Sequence, residues 1–232
     1  MQNVGAYGQE VAGTIEAVRV LDLHTMKFTE LPAEACGFAY RRSIFNSSQR
    51  GKFIVTRVDY KLRANASPVL SYPDLQRYFH GRQGAPSLEE AAAAVRAIRR
   101  GKGMLLVEGE PDCRSAGSFF RNPVVTQAEY DELAARSAAE VPRFAAAQGF
   151  VKVPAAWLVE HAGFEKGFAM GAAAISSRHT LALINRGGAT AGEMLALRDR
   201  IVATVEKRFG IRLEQEPVCL GPLSGGGTSA WC

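Results

Sequence analysis

Four stretches of the chain hold residue types that could handle protons or charge. SAGSFFRNPVV (115–125) sets Ser118 between a glycine and two phenylalanines, with an arginine and Asn122 just beyond. YRRS (40–43) presents paired arginines, Arg41 first, after a run of aromatics. LEQEPVCLG (213–221) carries Glu216 immediately before a proline. VGAYG (4–8) flanks Ala6 and Tyr7 with Gly5 and Gly8. A hydroxyl held in an apolar wall can deliver a proton to a strong base. Arginine clamps a carboxylate or phosphate with two parallel hydrogen bonds. Glycines let a flat ligand or a phosphate approach the backbone closely. Each stretch also has a plain structural reading: a turn before a strand, a solvated face, a sheet-edge carboxylate and a tight turn.

Other chemistries find no support. The chain has no GxGxxG fingerprint, no GxxxxGK[ST] phosphate loop and no HExxH; Ser118 is not in GxSxG. GFAMGA (167–172) reads as a glycine pair used in packing. His24, His80 and His161 read as surface or helix residues, so no metal site is expected. Cys36, Cys113, Cys219 and Cys232 are widely spaced, the pattern of reduced cytoplasmic thiols. The net charge of +5 is spread along the chain, with short clusters such as RAIRRGK (96–102). A nucleic-acid binder would show a longer basic stripe, whereas an anionic small molecule fits this bias. No apolar run is long enough to span a membrane and no secretory leader opens the chain, so a cytoplasmic location is expected. No protein partner is expected.

The elements that must position these residues differ between the two ends. Residues 11–22 and 52–62 alternate apolar and polar residues and read as strands. CGFAYRRSIFNSSQRG lies between them as an aromatic-rich segment ending in a polar loop. The first sixty residues therefore predict antiparallel sheet. Beyond them, Ser87 with Glu90, Thr126 with Glu129 and Thr190 with Glu193 have the spacing of reciprocal helix caps. They open SLEEAAAAVRAIRR ending at Gly101, TQAEYDELAARSAAE limited by Pro142, and TAGEMLALRDRIVATVEKRF ending at Gly210. A further helix starts at Pro154. Strands are expected near 170–176, 180–185 and 211–220, then a glycine-rich tail, GPLSGGGTSAWC. With 232 residues, 47% of them hydrophobic, the chain can bury a sizeable core. The fold class is α+β.

In order and together, QNVGAYGQEV, CGFAYRRSIF, PVLSYPDL, RSAGSFFRNPVV, PAAWLVEHAG, GAAAISSRHTLALIN and GATAGEMLALRDRIVATVEKRFGIRLEQEP resemble one family. It is the flavin-dependent UDP-N-acetylenolpyruvoylglucosamine reductases, also called UDP-N-acetylmuramate dehydrogenases. The resemblance spans nearly the whole chain. It implies a reaction in peptidoglycan precursor synthesis: NADPH reduces FAD, which then reduces UDP-N-acetylglucosamine enolpyruvate to UDP-N-acetylmuramate. It implies Ser118 as proton donor, with Arg41 and Glu216 stabilising the enolate-like intermediate. Tyr72, in PVLSYPDL, would close over the nucleotide. Lys102 and Asn122 would hold the phosphates and nucleotide, and His179 matches a variable contact position. Gln2, Asn3, Gly5, Ala6 and Tyr7 would lie along the flavin. The implied division is 1–103 as part of a flavin-binding domain, 104–210 as a smaller substrate-binding domain, and 211–232 as a return strand with a flexible tail.

Hydride addition beside a carboxylate builds negative charge there, which a fixed arginine stabilises best where water is excluded. Phe119 and Phe120 would keep such a site dry. The resemblance begins inside the family pattern, just before QN, without the glycine-rich turn that binds the flavin pyrophosphate. The chain thus reads as an N-terminally truncated member. Three functional readings stay open: a flavin reductase completed by an upstream segment, a UDP-sugar-binding remnant without turnover, and a poorly folding fragment with an open sheet edge.

Overall fold

The computed structural model describes residues 1–219. The glycine-rich tail and Cys232 lie outside the described residues. The chain divides into two compact units, Met1–Ile98 and the part from Arg99 onward.

The first unit opens with a hairpin, β1 (Gly5–Ala6) against β2 (Gln9–Glu10). A three-stranded antiparallel sheet follows, formed by β3 (Ile15–Asp22), β4 (Lys27–Pro32) and β5 (Phe53–Tyr60) in the order β4-β3-β5. The central strand carries the core. Ile15, Val18 and Val20 are buried with Cys36, and Phe38, Phe45 and Phe53 pack around them. Ile15 and Val18 are three residues apart, which simple alternation cannot place on one face. A register shift against β5 between Ile15 and Ala17 resets the phase.

Two expectations change here. The strand starts at Ile15 rather than at residue 11, because Val11–Gly13 forms a 3-10 turn closed by the Thr14 hydroxyl on the Val11 carbonyl. The edge strand β4 was not foreseen; its side chains are nearly all exposed, so it carries little buried apolar signal. Two helices complete this stretch, α1 (Pro73–Tyr78) and α2 (Leu88–Gly101), the latter running across the division.

The second unit has two sheets. The edge strand β6 (Ser115–Ser118) joins β10 (Ala169–Met170), β11 (Ala173–Ile175) and β12 (Ala182–Asn185) in the order β10-β11-β12-β6. β7 (Val124–Thr126), β8 (Phe144–Ala145) and β9 (Phe150–Lys152) form the other, in the order β7-β9-β8. The helices are α3 (Gln127–Arg136), α4 (Ala155–His161) and α5 (Ala191–Phe209). On α5, Leu197, Ile201, Val202 and Val205 are buried at helical spacing and join Leu158, Ile175 and Leu183 in one core. Each fully buried aliphatic side chain there contributes roughly 1.5–3 kcal/mol.

All three reciprocal caps form. Glu90, Glu129 and Glu193 accept the amides of Ser87, Thr126 and Thr190 at 2.7, 2.7 and 2.9 Å, and each hydroxyl accepts the glutamate's amide at 3.2 Å. α3 ends at Arg136, well before Pro142, where Ser137 turns extended and its hydroxyl bonds the Leu133 carbonyl. Pro154 is the cap of α4 rather than its first helical residue. The segment 170–176 is a hairpin, not one strand. Of the expected strand near 211–220, the described residues 211–219 hold a single bridge, Phe120 to Gln215. Pro217, having no N–H, cannot continue that ladder.

Cys36, Cys113 and Cys219 are free thiols. Among the described residues, no helix is long and apolar enough to cross a membrane, and no group of three His, Cys, Asp or Glu side chains gathers for a metal.

Candidate active site

In the first unit, Gln2–Tyr7, Arg41 and Tyr72 come together. Asn3 is buried, and both ends of its amide work inside the fold. Its nitrogen donates to Glu10 at 2.7 Å and its oxygen accepts the Ala12 amide at 3.1 Å. The neighbouring Gly5 and exposed Ala6 form a strip with almost no side-chain bulk. Arg41 donates to the Gly5 carbonyl at 2.9 Å, and its guanidinium lies 5.3 Å from the Tyr40 ring centroid. Tyr7 and Arg41 hold φ of 52° and 54°, in the left-handed region. That conformation costs a non-glycine residue roughly 1–3 kcal/mol, so the surrounding contacts must enforce it.

The Tyr7 ring meets Tyr72 edge-on, with centroids 5.1 Å apart. Gly8 makes this approach possible: a Cβ there would lie 2.5 Å from the Ser71 hydroxyl. Tyr72 sits at the entry to α1, where its carbonyl accepts the Leu75 and Gln76 amides at 3.0 Å.

In the second unit, Ser118 ends β6, opposite Ala182 of β12. The next residue, Phe119, donates its amide to the Leu181 carbonyl at 2.7 Å and accepts the Glu216 amide at 2.8 Å. Residues nearly a hundred positions apart thus meet in one backbone bridge. Phe119 and Phe120 are both buried, their rings 5.4 Å apart, so the wall behind the serine is dry. The Ser118 hydroxyl stands 3.4 Å from Nε2 of His179.

The loop carrying His179 is fastened at several points. The buried Ser176 hydroxyl accepts the Arg178 and His179 amides at 3.0 and 3.2 Å. Asp112, also buried, accepts the Ser177 amide at 3.1 Å and its hydroxyl at 2.6 Å. Arg178 pairs with Glu110 at 2.6 Å and reaches Asp112 at 3.4 Å. Lys102 lies in the turn after α2, and that turn packs closely against Asp112. A Cβ on the next residue, Gly103, would come within 2.7 Å of the Asp112 Cβ. Asp112 therefore anchors the His179 loop by hydrogen bonds, while the Lys102 turn only packs against it. Sequence reasoning missed it; the only signal was the PDC turn before SAGS, too short to distinguish from a loop.

Asn122 has an internal task. Its side-chain oxygen accepts the Ala155 amide at 2.9 Å, at the start of α4, where Pro154 offers no side-chain cap of its own.

Fold and site together define a two-unit α+β chain. In its second unit a serine faces an imidazole beside the backbone of a glutamate-bearing segment. The sequence model described as UDP-N-acetylenolpyruvoylglucosamine reductase, C-terminal domain, matches residues 110–220. The chain is 43% identical over 229 residues to the UDP-N-acetylenolpyruvoylglucosamine reductase of Thermobifida fusca, covering 95% of this chain and 64% of that one. It is 41% identical to that of Paraburkholderia xenovorans, covering 95% and 63%. A crystal structure of the UDP-N-acetylenolpyruvylglucosamine reductase from Thermus caldophilus superposes with a TM-score of 0.53 at 26% identity, over 93% of this chain and 56% of that one. The chain is thus similar over 95% of its length to UDP-N-acetylenolpyruvoylglucosamine reductases, and its residues 110–220 match that family's C-terminal domain. It spans about three-fifths of the length of the curated relatives it matches.

Proposed function

We propose that the protein carries out the NADPH- and FAD-dependent reduction of UDP-N-acetylglucosamine enolpyruvate to UDP-N-acetylmuramate, a step of peptidoglycan precursor synthesis, in the cytoplasm. The observation that carries this reading is the Glu216–Phe119 backbone bridge, which sets a glutamate-bearing segment beside Ser118 within the family-matched region. The first unit serves as part of the flavin-binding domain and the second as the substrate-binding domain.

The residues present are compatible with a flavin. Gly5 and exposed Ala6 keep side-chain bulk low on the hairpin, while Glu10 and Arg41 fill the space that a Gly5 Cβ would take. Asn3, its amide already engaged, contributes backbone only. FAD, when bound, supplies the hydride that NADPH provides. The chain's own residues do the rest. Arg41 stabilises the negative charge that develops on the substrate carboxylate. Glu216 acts on the same intermediate. Ser118 delivers the proton that completes the lactyl ether, a task a hydroxyl performs only against a strongly basic carbon. Lys102 holds the substrate phosphates, Asn122 steadies the segment beside the nucleotide, and Tyr72 closes over it.

The test is direct. The purified protein, titrated with FAD and given NADPH and the enolpyruvyl sugar, should show flavin absorbance at one equivalent and form UDP-N-acetylmuramate. Tight binding of the UDP-sugar with no flavin bound and no product would favour a sugar-binding role instead.

A further inference from the structure

We propose that His179 is the positioning residue of Ser118: it orients the hydroxyl and returns the proton that the serine gives away. This goes a step deeper into the function proposed above and rests on it. The motivating geometry is the 3.4 Å approach of His179 Nε2 to Ser118 Oγ. Proton-transfer bonds are often long before substrate arrives and tighten in the complex.

The chemistry calls for such a partner. When Ser118 protonates the substrate carbon, the O–H bond breaks, a C–H bond forms, and the electron pair stays on Oγ. The resulting alkoxide stands against the buried Phe119 and Phe120, where water is excluded, so a second turnover calls for a proton supplied on the spot. An imidazolium meets this need. Its Nε2–H bond breaks, the serine O–H bond reforms, and the pair left on Nε2 makes a neutral imidazole that water reprotonates. The hydride and its two electrons come from NADPH by way of the proposed cofactor, so the double bond gains one hydride and one proton. Histidine is the side chain whose ordinary pKa suits this exchange near neutrality.

The placement is built rather than incidental. The buried Ser176 hydroxyl fixes the His179 amide, and the His179 carbonyl accepts the amide of Ala182 at 3.0 Å. Ala182 is the strand partner of Ser118, so the same short turn that positions the imidazole is registered against the serine. Asp112 fixes the adjacent Ser177 through two bonds, and Thr180 bonds Glu160 on α4. With both flanks held, the backbone that carries the ring is fixed opposite the hydroxyl, and the cost of ordering it is met in folding.

The experiment separates this role from simple substrate contact. His179→Gln and His179→Ala are compared with the parent in two half-reactions, reduction of the flavin by NADPH and its reoxidation by the enolpyruvyl sugar. Reoxidation should slow by ~10²-fold, with a much smaller change in flavin reduction and in sugar affinity. Free imidazole should recover part of the reoxidation rate of His179→Ala but none of that of Ser118→Ala. A loss seen in sugar affinity alone, or no rescue by imidazole, overturns the proposal. A readout without cofactor completes the test. In the flavin-free protein, the side-chain nitrogen NMR signals of His179 should move on Ser118→Ala, and unmoved signals overturn the pairing. A parent protein that the enolpyruvyl sugar fails to reoxidise would instead sink the function proposed above. Normal reoxidation in the His179 variants of an active parent sinks this inference alone.

Discussion

The Glu216 amide donates to the carbonyl of Phe119 at 2.8 Å, one residue past Ser118. A second bond, from the Arg121 amide to the Glu214 carbonyl at 2.9 Å, brackets it. Two short stretches that share no local pattern are thereby locked in register, and the serine's neighbourhood includes the last described segment of the chain.

Ser118→Ala should impair reduction of the enolpyruvyl group by roughly 10²–10⁴-fold while affecting flavin reduction by NADPH far less. Stopped-flow measurement of the two half-reactions checks this. Equal losses in both would point to damage in folding or flavin binding rather than to a lost proton donor.

Tyr72→Ala removes the edge-on contact with Tyr7, worth about 0.5–1.5 kcal/mol. The expected outcome is weaker binding of the UDP-sugar, read by calorimetry, with a smaller effect on the chemical step. An unchanged dissociation constant would remove the lid role from Tyr72.

Asn122→Ala deletes the acceptor that caps α4 and should cost about 1 kcal/mol of stability. A lower urea midpoint at unchanged slope is the signature. Asn122→Asp keeps an acceptor oxygen at the same place and should recover most of the loss.

Asp112→Ala leaves the Ser177 amide and hydroxyl without their acceptor and Arg178 without one of its two carboxylates. A loss of about 2–3 kcal/mol is expected, since hydrogen bonds to a charged, buried group are at stake. The His179 NMR signals should broaden in the same variant; a protein with native midpoint and native His179 signals would show that Asp112 anchors nothing.

Acid should weaken the second unit through its helix caps. The backbone amides of Thr126 and Thr190 hold the Glu129 and Glu193 carboxyls below their ordinary range, aided by the two hydroxyls. A lowered folded-state pKa means the contribution is complete above the unfolded value, about 4.3 for glutamate. It is lost as pH falls through the lowered values. The melting temperature should therefore drop on acidification below that point, and Glu129→Gln with Glu193→Gln should flatten the dependence. An equally steep acid profile in the double variant would assign the loss to other carboxylates.

What the sequence determined alone was whatever lives within one turn or one strand. Ser87–Glu90, Thr126–Glu129 and Thr190–Glu193 are three residues apart, and the caps they announce form as expected. The apolar spacing of α5 fixed its buried face. The motifs, taken in order, also carried the family, which the comparisons support. What only the tertiary structure decided were partnerships across long separations. Arg41 reaches Gly5 across 36 residues, Ser118 meets His179 across 61, and Asp112 holds Ser177 across 65. The internal task of Asn122 and the reduction of the last expected strand to one bridge belong with these. The physical reason is one of range. Capping and periodicity follow from bonds and angles a few residues long. Which distant loops share a carboxylate follows from how two sheets and their helices close over a common core, and no local spacing records that.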